Sequence, residues 1–330
     1  MRTALLAAST LILASFAPAA LAGPVVHTYS IVARDPKTGE MGVAVQSHWF
    51  SVGSIVTWGE AGVGVVATQS IVDPGYGGKG LDLMRRGVSA PDALKRLLDA
   101  DSERNVRQVA MVDTQGRASA HTGTLCIAAA GHTVGGGYSV QANIMANGTV
   151  WPAMAAAFER STGDLADRML AALDAAQAAG GDLRGRQAAA ILVVAPKSTG
   201  RPWAGADRVF DLRVEDHPQP LVELRRLVRL QRAYTHANHG DELVSQKKVE
   251  EALKEYAAAA ALAPEILELP FWQAITLVSI GREAEATSIL KKVLAKEPWW
   301  ADLIPRLPAA KQLPDDPALI RRLVALRPAK

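Results

Sequence analysis

Apolar and polar positions divide the chain into two unlike parts. Up to about residue 218, short strand-like runs are grouped between helix-like runs. Residues 28–35 and 41–47 read as two strands joined by Pro36-Lys37-Thr38-Gly39, whose residues favour a turn. Residues 63–69 form a short apolar third strand. Residues 80–86 and 91–100 carry helical spacing, the second with Ser89 or Ala90 near its cap and Pro91 in its first turn. Residues 106–113 and 118–122 make a hairpin around Thr114-Gln115-Gly116, and 138–142 is another strand. Residues 150–160 and 164–179 are alanine-rich helices. A continuously apolar strand at 188–195 and a last strand at 209–214 close this part. Grouped strands with helix pairs between them do not fit a doubly wound parallel sheet. They predict sheets packed together with helix layers outside.

After Pro218-Gln219-Pro220 the strand pattern stops and helical periodicity runs nearly to the end. Ala252, Tyr256, Ala259 and Pro264 fit the second helix of a tetratricopeptide repeat, as do Ala286, Leu290, Val293 and Pro298. Both Ala252 to Ala286 and Pro264 to Pro298 are separations of about 34 residues, the period of that repeat. Small alanines let antiparallel helices approach, and each proline ends its helix. An ordinary helical hairpin is the alternative. Two repeats are fewer than a free-standing array needs, so this tail is expected to lean on the first part.

Composition narrows the function classes. With 49% apolar residues, the 330-residue chain can build a substantial core. The 36 basic and 33 acidic residues nearly balance and are scattered, so no nucleic-acid partner is expected. Residues 1–22 resemble a secretory signal, with Arg2, an apolar run from Leu5 to Phe16 and Ala20-Leu21-Ala22 as the cut. An uncleaved anchor is the competing reading, disfavoured by the short run and its Ala-Pro-Ala-Ala break. The expectation is a periplasmic or secreted protein without stable membrane insertion. The organisation expected is a signal at 1–22, a mixed domain at 23–218 and a helical domain at 219–330. The single cysteine, Cys126, rules out an internal disulfide and reads as a small buried residue.

No GxSxG elbow, HExxH, paired CxxC or P-loop is present, and Gly135-Gly136-Gly137 lacks a following helix. His236 and His239 read as a solvated surface rather than a metal site. The opening stretch is more specific. "TYSIVARDPKTGEMGVAVQSHWFSVGSIVTWGEAGVGVVATQS" resembles the start of the bacterial DUF1028 family, which is grouped with the N-terminal nucleophile (Ntn) hydrolases. "YGGKGLDLMRRG", the His121, Cys126 and His132 segment, "YSVQAN" and "GGDLRGRQAAAILVV" agree with it. The resemblance spans about residues 28 to 217, and more loosely the tail.

That resemblance implies an α+β fold, a four-layer αββα sandwich of Ntn type, followed by an all-α tetratricopeptide-like region. It also implies a mechanism. A Thr, Ser or Cys starts the first strand, its hydroxyl or thiol attacks an amide carbonyl, and its own α-amine is the base. An α-amine ordinarily titrates at about 7.7–8.0, close to working pH. Many family members without an export signal begin Met-Thr-Tyr/Phe-Ser, and the matching residue here is Thr28. Ser30 is a second candidate, and both could be ordinary strand residues. The signal cut would leave Gly23 to His27 ahead of Thr28, so a second cut at His27–Thr28 is required. It could be autocatalytic, made by another protease, or absent in an inactive relative.

Gln69, Ser70 and Asn143, with Ser47, Thr68 and Gln141, end strands that could line the same cleft, and amides suit an oxyanion. Lys79, Arg184 and Arg186 are candidate substrate ligands. A helix start competes for Lys79, and a turn ion pair with Asp182 competes for the arginines. The expected activity is hydrolysis of a small amide or peptide-like bond with no metal or cofactor. The alternative is an inactive scaffold whose tail binds a peptide or cell-wall partner.

Overall fold

In the computed structural model the described residues are 28–201 and 206–328, with the backbone of Val25 and Val26. The expected signal, its cut and His27 lie outside them. Among the described residues, strands form two antiparallel sheets. The first contains β1 (Val25–Val26), β4 (Thr57–Glu60), β5 (Gly64–Ile71), β6 (Arg107–Asp113) and β7 (Ala118–Thr122). Its order is β1-β5-β6-β7, with β4 also lying along β5. The second contains β2 (Thr28–Arg34), β3 (Met41–Ser47), β8 (Gly131–Gly135), β9 (Tyr138–Ala142), β10 (Ala188–Val194) and β11 (Arg208–Val214). Its order is β11-β10-β3-β2-β9-β8, so β2 and β3 are central.

Strand alternation sorts the side chains between two cores. Tyr29, Ile31 and Ala33 point outward from β2 and pack under α4 (Val150–Arg160) and α5 (Leu165–Ala178). Val32 points the other way, into a core between the sheets with Val43, Val45, Val65, Ala67, Val112 and Val56 of the one-turn helix α1 (Gly53–Val56). A third core lies under α2 (Gly75–Arg85) and α3 (Ala90–Ala100), where Val66, Val109 and Met111 meet Tyr76, Leu81 and Leu94. Ser89 caps α3, accepting from the Asp92 amide at 3.2 Å.

Two expectations change. The glycine-rich run Gly75-Tyr76-Gly77-Gly78 reads from sequence as a turn ahead of the helix anticipated at 80–86, yet that helix begins at Gly75 and takes in the whole run. Two of its glycines serve close packing: a Cβ on Gly77 would fall 2.2 Å from the Trp58 ring, and one on Gly80 2.8 Å from Met111 Cε. Helix propensity yields to packing there. The second change is β8, whose glycines hide a strand. It pairs with β9 through the tight turn Gly136-Gly137, with Gly137 at φ +80°.

The tail comprises α6 (Pro220–Ser245), α7 (Val249–Leu262), α8 (Glu268–Ser279), α9 (Glu283–Lys296) and α10 (Pro317–Val324). The long helix α6 belongs to both parts. Its Leu221, Leu224 and Val228 enter the core under the second sheet. Arg232 reaches Asp164 and Asp167 at 2.6 and 3.0 Å. Further along, Gly240 faces the Tyr256 ring of α7, which a Cβ would meet at 2.6 Å. Ala252 and Ala286 are both fully buried. Replacing either with Leu is expected to overpack its helix pair and lower stability by about 1–3 kcal/mol in denaturant unfolding.

Candidate active site

The same alternation that buries Val32 aims Thr28 and Ser30 into the space between the sheets, where both are fully buried. Their hydroxyls meet polar partners there. Thr28 Oγ1 donates to Ser47 Oγ at 3.1 Å, its register partner on β3. The Thr28 carbonyl accepts from the Asn143 backbone N–H at 3.0 Å and from Gln69 Nε2 at 3.1 Å. Asn143 Nδ2 lies 3.5 Å from the same oxygen. Ser30 Oγ donates to Gln69 Oε1 and accepts from Gln141 Nε2, both at 2.6 Å. The expected opening of Thr28 into a cleft is therefore corrected for the uncut chain: the hydroxyl is enclosed, in a pool of uncharged polar groups.

The centre of that pool is Gln108, fully buried at the start of β6. Its Oε1 accepts from Gln69 Nε2 at 2.7 Å and from Asn143 Nδ2 at 2.9 Å. Its Nε2 donates to Ala142 O and to Thr122 Oγ1, each at 2.9 Å. All four lone-pair and proton positions of one amide are thus used. Asn143 Oδ1, by contrast, is buried without a partner. Sequence reasoning missed Gln108. The available signal was a glutamine leading into the apolar run Val109-Ala110-Met111-Val112, a buried position that amides occupy only with partners.

Through Gln108 the pool reaches the surface. Thr122 Oγ1 lies 2.8 Å from His132 Nδ1. Both line an open hollow of 450 Å³ with Gly123, Cys126, Gly131 and Trp151. His132 reaches solvent at the rim, yet partial burial of its ring, followed by the nearby His121, pushes its proton affinity below the ordinary imidazole value. A base whose folded pKa is depressed contributes stability above its unfolded pKa and loses it as pH falls through the folded one. Lowering pH from about 7.5 to 5.5 should therefore reduce Tm, and His132→Gln should shrink that pH difference.

The remaining candidates fall elsewhere. Ser70 is the last residue but one of β5, nearly fully buried, in a left-handed conformation at φ +72°. Burial pushes the Cys126 thiol up, against hydrogen bonds from Ser70 and Gly123, so a neutral thiol is favoured. Lys79 is exposed on α2 and lines a separate hollow with Asp73, Tyr76 and Asp101. Arg184 folds back onto buried Asp182, with Nη2 at 2.7 Å and Nε at 3.1 Å, so the turn ion pair is what forms. Arg186 is exposed close enough to Tyr29 to oppose the upward push that burial gives its phenol. The structure thus brings Thr28, Ser30, Gln69 and Asn143 together and leaves Lys79, Arg184 and Arg186 outside their hydrogen-bond pool.

A match to the DUF1028 profile, a family of unknown function, spans residues 28–224, from the first residue of β2 into α6. The chain belongs to the DUF1028 family. A crystal structure of a DUF1028 protein from Silicibacter pomeroyi is 32% identical, with a TM-score of 0.55. The alignment covers 61% of this chain and 87% of that one. Among curated proteins none matches. The DUF1028 match opens on Thr28 itself and takes in Gln69, Gln108 and Asn143.

Proposed function

We propose that this DUF1028 protein is an exported Ntn-type amidohydrolase, with Thr28 as nucleophile once the residues ahead of it are removed. The observation that carries the reading is the placement of Thr28. It is the first residue of a central strand, where the chain changes from the first sheet to the second. Its hydroxyl is fixed on Ser47 and its carbonyl on Asn143 and Gln69. Two facing sheets with a helix pair outside each support the Ntn sandwich.

In the proposed reaction Thr28 Oγ1 attacks an amide carbonyl and its proton passes to the Thr28 α-amine. The oxyanion collapses, the C–N bond breaks, and the leaving amine takes that proton. Water then attacks the Thr28 ester, giving a carboxylic acid and the free hydroxyl. The groups that hold the Thr28 hydroxyl and carbonyl, Ser47, Gln69 and Asn143, are themselves uncharged. Asn143 Oδ1 is an acceptor still lacking a donor, and a freed α-ammonium would supply one. Isolating the exported protein and measuring its intact mass tests the reading. A chain beginning at Thr28 is expected, and one that stays at Gly23 overturns it.

A second reading has its own observation. Three adjoining hollows of 230, 380 and 410 Å³ meet at Trp272 on α8, with Tyr234, Tyr256, Trp300 and Glu268 among their linings. If the tail is tetratricopeptide-like, this groove is where a peptide or cell-wall partner would bind. Loss of partner capture in Trp272→Ala, with processing at Thr28 unchanged, would support it. Among the described residues no helix is long and apolar enough to cross a membrane.

A further inference from the structure

The short strand β1 sits in the wrong sheet for its neighbour. Val25 and Val26 pair antiparallel with Ile71 and Ser70 of β5 in the first sheet, while Thr28 starts β2 in the second. The far edge of β5 is filled by β6 as far as Ser70. The near edge is filled by β4 along Gly64–Ala67. Among the described residues, the pairing at Ser70 and Ile71 on that near edge comes from Val25 and Val26, three and two positions ahead of the proposed nucleophile. We propose that these residues occupy the acyl-side subsites of the enzyme, and that its substrate is an extended peptide that adds a strand to the end of β5. The proposal rests on Thr28 as nucleophile and names the substrate class.

Removal of the segment ahead of Thr28 leaves Ser70 and Ile71 with an open edge, directly before the place where a scissile carbonyl must sit. That edge is prepared for an incoming chain. The Ile71 carbonyl is held by Arg107 Nη1 at 2.8 Å. The guanidinium is itself buried and tied to Asp101 at 3.0 Å and Glu103 at 2.7 Å. Ser70 spends backbone strain at φ +72° to turn the strand end. Main-chain hydrogen bonds to a rigid edge give affinity for any extended peptide, with selection left to alternate side chains. A compact amide with no backbone to pair would gain nothing from this site. The removed segment would also compete with substrate until it diffuses away.

Every described residue of the three cores around the two sheets lies at Tyr29 or later, so a chain starting at Thr28 retains all of those residues. The test uses that chain, released from a cleavable fusion, in wild-type and Thr28→Ala forms. The probe is the peptide Gly-Pro-Val-Val-His, the sequence of residues 23–27. It should bind both forms in a calorimetric titration. The same peptide N-methylated at both valines should bind about tenfold more weakly or worse, having lost its strand donors. The uncut full chain should bind neither peptide. Equal binding of the two peptides, or no binding of the parent peptide, overturns the proposal. Labelling of Thr28 with a β-lactone separates the two ideas. Labelling without peptide binding removes the strand subsite and leaves the nucleophile. Peptide binding without labelling does the reverse.

Discussion

Thr28→Ala is expected to yield a folded, exported protein that is never cut ahead of residue 28 and takes no covalent label from a β-lactone. Loss of a nucleophile lowers turnover by about a thousandfold or more even where the rest of a site survives. Processing and labelling should therefore both fall below detection in intact-mass spectra. Stability is a separate quantity here. The Thr28 hydroxyl is fully enclosed and bonded to Ser47, so its removal should cost about 1–2 kcal/mol in hydrogen bonding and packing. Thr28→Ser restores the hydroxyl and should recover both label and cut, at a reduced rate. Thr28→Val keeps the shape and lacks the oxygen, so it should remain inactive while staying close to Thr28→Ala in stability. A Thr28→Val chain that still matures to residue 28 would show that another protease makes the cut. One that still takes the label at residue 28 would remove Thr28 as nucleophile.

What the sequence made legible follows from how each feature is encoded. Strands such as β3, β7 and β9, and the helix α4, announce themselves by local periodicity, and their limits agree with the structure to the residue. Helix α2 does not. Gly77 and Gly80 are selected by a tryptophan ring and a methionine from other elements, and no local pattern carries that information. The pairing of β8 with β9 is hidden in the same way. For the site, Thr28, Ser30, Gln69 and Asn143 were visible as polar residues at strand ends, and they do converge. The arginines were visible as charges, but two residues of separation let Arg184 satisfy Asp182 within its own turn. The short path won over the long one. Gln108 showed only as an amide within a strand, and nothing local says which distant residues meet on it.

Gln108→Leu is where that hidden role should have its largest effect. Leucine is close in volume, so the change removes little packing and isolates the amide. Gln69 Nε2 and Asn143 Nδ2 lose their shared acceptor, while Ala142 O and Thr122 Oγ1 lose a donor. Buried groups left unpaired cost more than the bonds themselves were worth, so a loss of about 3 kcal/mol or more is expected in urea unfolding. Processing at Thr28 should slow as well, because Gln69 and Asn143 also hold the Thr28 carbonyl. Gln108→Glu separates charge from geometry. Its two oxygens can accept from Gln69 and Asn143, but no donor remains for Ala142 O, and all the partners of this position are uncharged. A carboxyl buried there has a folded pKa above its unfolded one. Its ionisation penalty is absent at low pH and grows as pH rises through the ordinary carboxylate range. Gln108→Glu should therefore fall further below wild type at pH 7 than at pH 5. If instead Gln108→Leu unfolds with the wild-type midpoint and matures at the wild-type rate, the pool around Thr28 is not organised by Gln108.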